Sequence, residues 1–143
     1  FAILVSEWNS EITFNLLEGT FDTLVKHGAD EDQIEVRYVP GSFELTSGAH
    51  LAAESGKFDS IICLGCVIRG ETPHFDYICQ SVANGLTQLN VNYNIPFIFG
   101  VLTTENISQA RERAGGRHGN KGDEAAITAI KMAAIKREGF NRK

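Results

Sequence analysis

Three short segments carry most of the side chains able to do chemistry: Trp8-Asn9, Pro40-Gly41-Ser42-Phe43-Glu44 and Arg69-Gly70-Glu71-Thr72-Pro73-His74. Trp8 and Phe43 offer flat surfaces on which a heteroaromatic ring can stack. Glu44 can accept hydrogen bonds from several hydroxyls at once. Gly70, Glu71 and Thr72 form a turn with free backbone N–H groups and a hydroxyl just ahead of a helical stretch, which is a natural seat for phosphate. His74 follows directly, so a group that exchanges protons near neutral pH would stand beside a bound anion. Each residue alone has a plainer reading: packing for Trp8, core for Phe43, a solvated helix-start acid for Glu44 and a helix cap for His74. Those plainer readings do not predict that all of them gather at the ends of three strands.

That gathering depends on the elements between the segments. Apolar runs of strand length at 2–6, 34–39, 60–68 and 97–103 alternate with stretches of helical period, the pattern of βαβ units around a parallel sheet. Each run is mostly apolar, as strands covered on both faces require. The first helix is expected over 12–27, with Ile12, Leu16, Leu17, Phe21, Leu24 and Val25 on one face and Gly28 ending it. A second spans 43–54 with Ser42 as its N-cap, and a third spans 76–91 with Ile78, Val82, Leu86 and Leu89 inward. A short helix at 107–114, a Gly-rich loop at 115–122 and a last helix reaching about 137 complete the chain, and the polar tail 138–143 is expected to fray. The expected architecture is α/β: one domain over 1–143, three layers α/β/α, with a flavodoxin-like, doubly wound, four-stranded parallel sheet. Its ligand site should lie beyond the C-terminal ends of the strands.

Composition narrows the function classes. At 143 residues, 43% hydrophobic and 22% charged, the chain suits one continuous core. The net charge of -5, with 13 scattered Lys and Arg, argues against a nucleic-acid partner. No apolar stretch approaches the roughly 20 residues of a membrane span. An odd number of cysteines, 3, fits a reducing compartment, with cytoplasm the expected location. Because Phe1 already opens a strand, natural residues are expected to precede it.

Other motifs fail on geometry. Cys63 and Cys66 have the C-x-x-C spacing, but inside a strand residues three apart point to opposite faces, so the two sulfurs diverge. The segment 115–122 lacks the G-K-[ST] ending of a phosphate loop and follows a helix instead of a strand. His27, His50, His74 and His118 are too dispersed for metal-ligand spacing. No metal and no cofactor is expected.

Four stretches together resemble the lumazine synthase family over nearly the whole chain: Val39-Pro40-Gly41-Ser42-Phe43-Glu44, the run from Gly65 through Arg69-Gly70-Glu71-Thr72-Pro73-His74 to Tyr77, Phe99-Gly100-Val101-Leu102-Thr103-Thr104-Glu105-Asn106, and Glu112-Arg113-Ala114-Gly115 leading to Gly119-Asn120-Lys121-Gly122. The resemblance implies a transferase of riboflavin biosynthesis. It would condense 5-amino-6-ribitylamino-uracil with 3,4-dihydroxy-2-butanone 4-phosphate to give 6,7-dimethyl-8-ribityllumazine. It further implies that Trp8 stacks on the pyrimidine while Ser42, Phe43, Cys66, Val67 and Ile68 frame it, and that Glu44 holds ribityl hydroxyls. Arg113 would bind the ketone phosphate with Gly70, Glu71 and Thr72, Lys121 would stand nearby, and His74 would be the main acid–base. Cys66 stands where many members carry Thr. Phe99, Arg113 and Lys121 would come from the neighbouring subunit of a homopentamer. Phe99 lies near the start of its strand, away from the crevice, which fits a shared site. The short segment 115–122 is similar to that of members that build icosahedral capsids from pentamers. The alternative is a non-enzymatic flavodoxin-like module that binds a flavin or lumazine. Such a module has no need of the phosphate set Arg113, Thr72 and His74.

Overall fold

The computed structural model describes residues 1–140; residues 141–143, part of the tail expected to fray, lie outside the described residues. Strands β1 (Ala2–Ser6), β2 (Glu35–Val39), β3 (Ile61–Ile68) and β4 (Phe97–Thr104) form one sheet in the order β2-β1-β3-β4. All three pairings are parallel, with Ile3 beside both Val36 and Ile62, and Ile62 beside Ile98. The intervening helices are α1 (Ser10–Lys26), α2 (Leu45–Glu54), α3 (His74–Asn92), α4 (Ile107–Glu112) and α5 (Lys121–Glu138).

The two-residue period of the strands divides the core into two layers. Ile3, Val5, Ile62, Leu64, Cys66, Ile98 and Leu102 face one way, against Ile12, Leu16 and Leu24 of α1 and Ala125, Ala126 and Ala129 of α5. Ala2, Leu4, Ile61, Cys63, Phe97 and Val101 face the other way, against Leu45 and Ala49 of α2 and Val82, Leu86 and Leu89 of α3. The three-layer doubly wound sheet expected from the sequence is therefore present. Cys63 and Cys66 fall in opposite layers, as the strand reading required, and the three cysteines are free thiols. β2 and β4 are the two edge strands, and β2 departs furthest from the expected coverage, with Arg37 and Tyr38 exposed.

Several boundaries also differ, among them the start of α1 at Ser10 and the end of α4 at Glu112, each two residues earlier than expected. The Gly-rich segment is a small antiparallel ribbon of β5 (Ala114–Gly116) and β6 (Gly119–Asn120), with Gly115 and Gly119 at φ 97° and 78° supplying the left-handed backbone the bend needs. Helix α3 begins at His74, two residues earlier than expected, because Pro73 is already in helical conformation and continues into it. Ser42 is not an N-cap. A 3₁₀ turn over Ser42–Glu44 precedes α2 and aims Ser42 at Gly65, where an added Cβ would lie 2.6 Å from the Ser42 hydroxyl. Among the described residues, no helix is long and apolar enough to cross a membrane.

Candidate active site

Beyond the C-terminal ends of β1, β2 and β3 the loops enclose an open cavity of about 520 Å³. Its position follows from the parallel order, since every strand delivers its following loop to the same edge. The loop after β1 holds Trp8 at the rim. Trp8 N–H donates to the Pro40 carbonyl at 3.1 Å, and Glu7 N–H to the Val39 carbonyl at 2.8 Å, so the first two loops travel together. Asn9 adopts φ 61°, a left-handed backbone that Asn tolerates better than most residues. Its side-chain amide donates to the Cys66 carbonyl at 2.9 Å and ties this loop to β3. Thr13 O–H donates to the Ser6 carbonyl at 2.6 Å beneath it. The outcome is a rigid shelf that leaves Trp8 73% exposed and Phe43 59% exposed. Large apolar rings held out in water beside a cavity are a binding surface more often than a packing accident.

The remaining walls come from Gly41, Ser42 and Glu44 on one side, and from Cys66, Val67, Ile68, Gly70, Thr72 and His74 on the other. Gly70 has open space where a side chain would be, so its backbone is accessible to a ligand. The Thr72 hydroxyl accepts from His74 N–H at 3.4 Å, and the His74 ring is exposed at the first residue of α3. Ser42 contributes the one buried side-chain polar atom without a hydrogen-bond partner among the described residues. Burial pushes the Cys66 thiol up to about 11, so it is protonated at neutral pH and offers neither charge nor nucleophile.

Ten of the residues singled out in the sequence thus share one cavity: Trp8, Ser42, Phe43, Glu44, Cys66, Val67, Ile68, Gly70, Thr72 and His74. Asn9, Gly41, Phe75 and Ile78 line it too. Ile78 reads in the sequence as an inward position of the third helix, and Phe75, just ahead of the expected helix start, carries no polar group to single it out. Glu71 is exposed and does not line the cavity.

Phe99, Arg113 and Lys121 are elsewhere. Arg113 and Lys121 line a second cavity of about 550 Å³ against Val101–Thr104 territory on β4, with His118 and Glu124. Arg113 donates to the Gln109 carbonyl at 2.9 Å, and its guanidinium lies 3.7 Å from the Glu112 carboxylate. Lys121 lies 3.9 Å from Glu124. The ribbon sets their spacing, since Lys121 N–H donates to the Arg113 carbonyl at 2.8 Å. Phe99 is 40% exposed on β4, on the same face as Val101 and Thr103. All three residues therefore belong to the flank of the molecule formed by the edge strand β4.

Comparison with known proteins places the chain in a family. The sequence pattern of the 6,7-dimethyl-8-ribityllumazine synthase family matches residues 1–137. A protein of that name from Parabacteroides distasonis is 61% identical over 130 residues, covering 91% of this chain and 81% of the relative. Another from Porphyromonas gingivalis is 58% identical over 135 residues, covering 94% and 84%. A third, from Bacteroides fragilis, is 58% identical over 132 residues, covering 92% of both chains. With a pattern that spans the cavity and the β4 flank alike, this chain belongs to the 6,7-dimethyl-8-ribityllumazine synthase family.

Proposed function

We propose that the chain condenses 5-amino-6-ribitylamino-uracil with 3,4-dihydroxy-2-butanone 4-phosphate to 6,7-dimethyl-8-ribityllumazine, releasing phosphate and water, as a step of riboflavin biosynthesis. The carrying observation is that one cavity collects a stacking surface, a carboxylate, an open N–H turn and an exposed imidazole: Trp8 and Phe43, Glu44, Gly70 with Thr72, and His74. The pyrimidine lies against Trp8 and is framed by Ser42, Phe43, Cys66, Val67 and Ile68, and Glu44 receives the ribityl hydroxyls. The substrate supplies its own amine nucleophile, so no activated side chain is needed. Most of the acceleration then comes from holding amine and ketone together. His74 moves protons during imine formation and phosphate loss.

The phosphate end requires a cation, and the cavity lining includes no Lys or Arg. Arg113 and Lys121 share the second cavity against β4, the strand that also carries Phe99. A second copy presenting that flank to the cavity mouth brings Arg113 to the phosphate, with Gly70, Glu71 and Thr72 around it, and closes Phe99 over the ring. The working unit is accordingly a homo-oligomer with shared sites, a pentamer that can assemble further into a capsid. The three free thiols suit the cytoplasm.

Co-expression tests both parts. His74→Ala and Arg113→Ala chains, each impaired alone, form mixed assemblies in which some sites receive wild-type His74 from one chain and wild-type Arg113 from its neighbour. Lumazine formation, followed by absorbance, should recover to several times that of either variant. Activity no higher than the average of the two parents would refute the shared site, and a wild-type chain that fails to form lumazine would refute the reaction.

A further inference from the structure

Between β3 and α3 the five residues 70–74 carry the phosphate turn and His74, yet little packs against them: Gly70, Glu71, Thr72, Pro73 and His74 are all exposed. Such a segment needs something at its base to hold its shape, because exposed loop residues are otherwise free to sample other conformations. Arg69 occupies that base. Its backbone N–H donates to the Thr104 carbonyl at 2.9 Å, extending the β3–β4 ladder to the last residue before the turn. Its side chain then spans the turn. The guanidinium carbon lies 4.4 Å from the centroid of the Phe75 ring, the Nη1 group is 3.4 Å from the Asp76 carboxylate, and Nε donates to Glu105 at 2.8 Å. One planar cation thus joins the residue preceding the turn to the two residues following it, and both to the loop after β4.

We infer that Arg69 is a positioning residue for the proposed reaction: it closes the base of the 70–74 turn and so fixes His74 and the phosphate-facing N–H groups relative to the stacking shelf. This inference rests on the function proposed above. Arg69 is not itself the phosphate ligand, because its charge is already directed at two carboxylates and its face lies on Phe75. The guanidinium plane is what allows one group to stack and bond edge-on in two directions; an ammonium supplies charge without that geometry.

Arg69→Met keeps a long apolar chain over Phe75 and removes the fork, and Arg69→Lys keeps the charge alone. Steady-state kinetics should show kcat lower by about tenfold and the ketone-phosphate KM higher by a similar factor in Arg69→Met, as expected when a reacting group drifts from its place. The pyrimidine KM should stay within about twofold, since the Trp8 shelf is anchored independently through Asn9. Glu105→Gln should give a smaller change of the same kind. In a His74→Ala background, Arg69→Met should lower kcat by less than about twofold, because the group it positions is gone. Additive losses in that background, or equal rises in both KM values, would overturn the assignment. If Arg69→Met does not fold, Arg69→Lys and Glu105→Gln carry the same comparison. A wild-type chain without lumazine-forming activity would instead sink the proposed function, so the two failures are distinguishable.

Discussion

Trp8 illustrates how a single residue can be read from sequence in type but not in circumstance. Its position after an apolar strand marked it as a loop aromatic, and the parallel sheet places it at the rim of the cavity. The exposure that makes it a platform comes from the Asn9 tether to the Cys66 carbonyl, a contact across 57 positions that no local pattern announces. Ser42 shows the opposite case. Its residue type suggested a cap, but its hydroxyl is buried against Gly65, in space that a side chain there would fill. Removing the stacking ring tests the platform directly. Aromatic–base stacking is worth about 1–3 kcal/mol by alanine substitution, so Trp8→Ala should raise the pyrimidine KM roughly tenfold or more. An exposed side chain contributes little to the core, so the melting temperature should move by no more than a degree or two. An unchanged pyrimidine KM in Trp8→Ala would remove the ring from the binding surface.

At the level of elements, the sequence was most legible where burial is continuous. The four strands and five helices follow from periodicity because β1, β3 and β4 are largely buried, the exposed edge strand β2 still keeps Val36 and Val39 inward, and the long helices show an apolar face. The ribbon was opaque, since its two short strands are mostly glycine and carry no hydrophobic alternation. Yet the ribbon leads straight into a close junction at Gly122. Where α5 begins, Asn120 accepts from Gly122 N–H at 2.7 Å and donates to the Asn15 carbonyl at 3.0 Å. A Cβ on Gly122 would stand 2.1 Å from the Leu16 carbonyl, so helix backbones meet there with no side chain between them. Gly122→Ala must push α5 away from α1. Overpacking of this kind costs about 1–3 kcal/mol, and chemical denaturation should register that loss. The same displacement shifts the start of α5, which holds Lys121, so the ketone-phosphate KM should rise together with the loss of stability. Full stability in Gly122→Ala would show that the junction can relax freely.

For the molecule as a whole, the two-layer core was foreseeable from alternation, and it also separates the two buried thiols by the thickness of the sheet. Cys63 is fully buried in the α2/α3 layer, in one apolar cluster with Leu4, Ile61 and Val101, where burial disfavours a thiolate. Burial pushes its thiol from the ordinary 9.0 up to about 12, and that of Cys66 less far. In the unfolded chain Cys63 ionises near its ordinary value, while in the folded chain it stays neutral until much higher pH. The contribution of Cys63 to stability is therefore complete below about pH 9 and is lost as pH rises toward 12, since the unfolded chain releases a proton that the folded chain retains. The slope associated with one such group is about 1.4 kcal/mol per pH unit. Unfolding free energies measured at several pH values above 9 should fall more steeply for the wild type than for Cys63→Ala, even though that variant begins less stable for want of a buried sulfur. Parallel slopes would mean that the thiol reaches water in the folded chain, which is incompatible with a sheet covered on both faces.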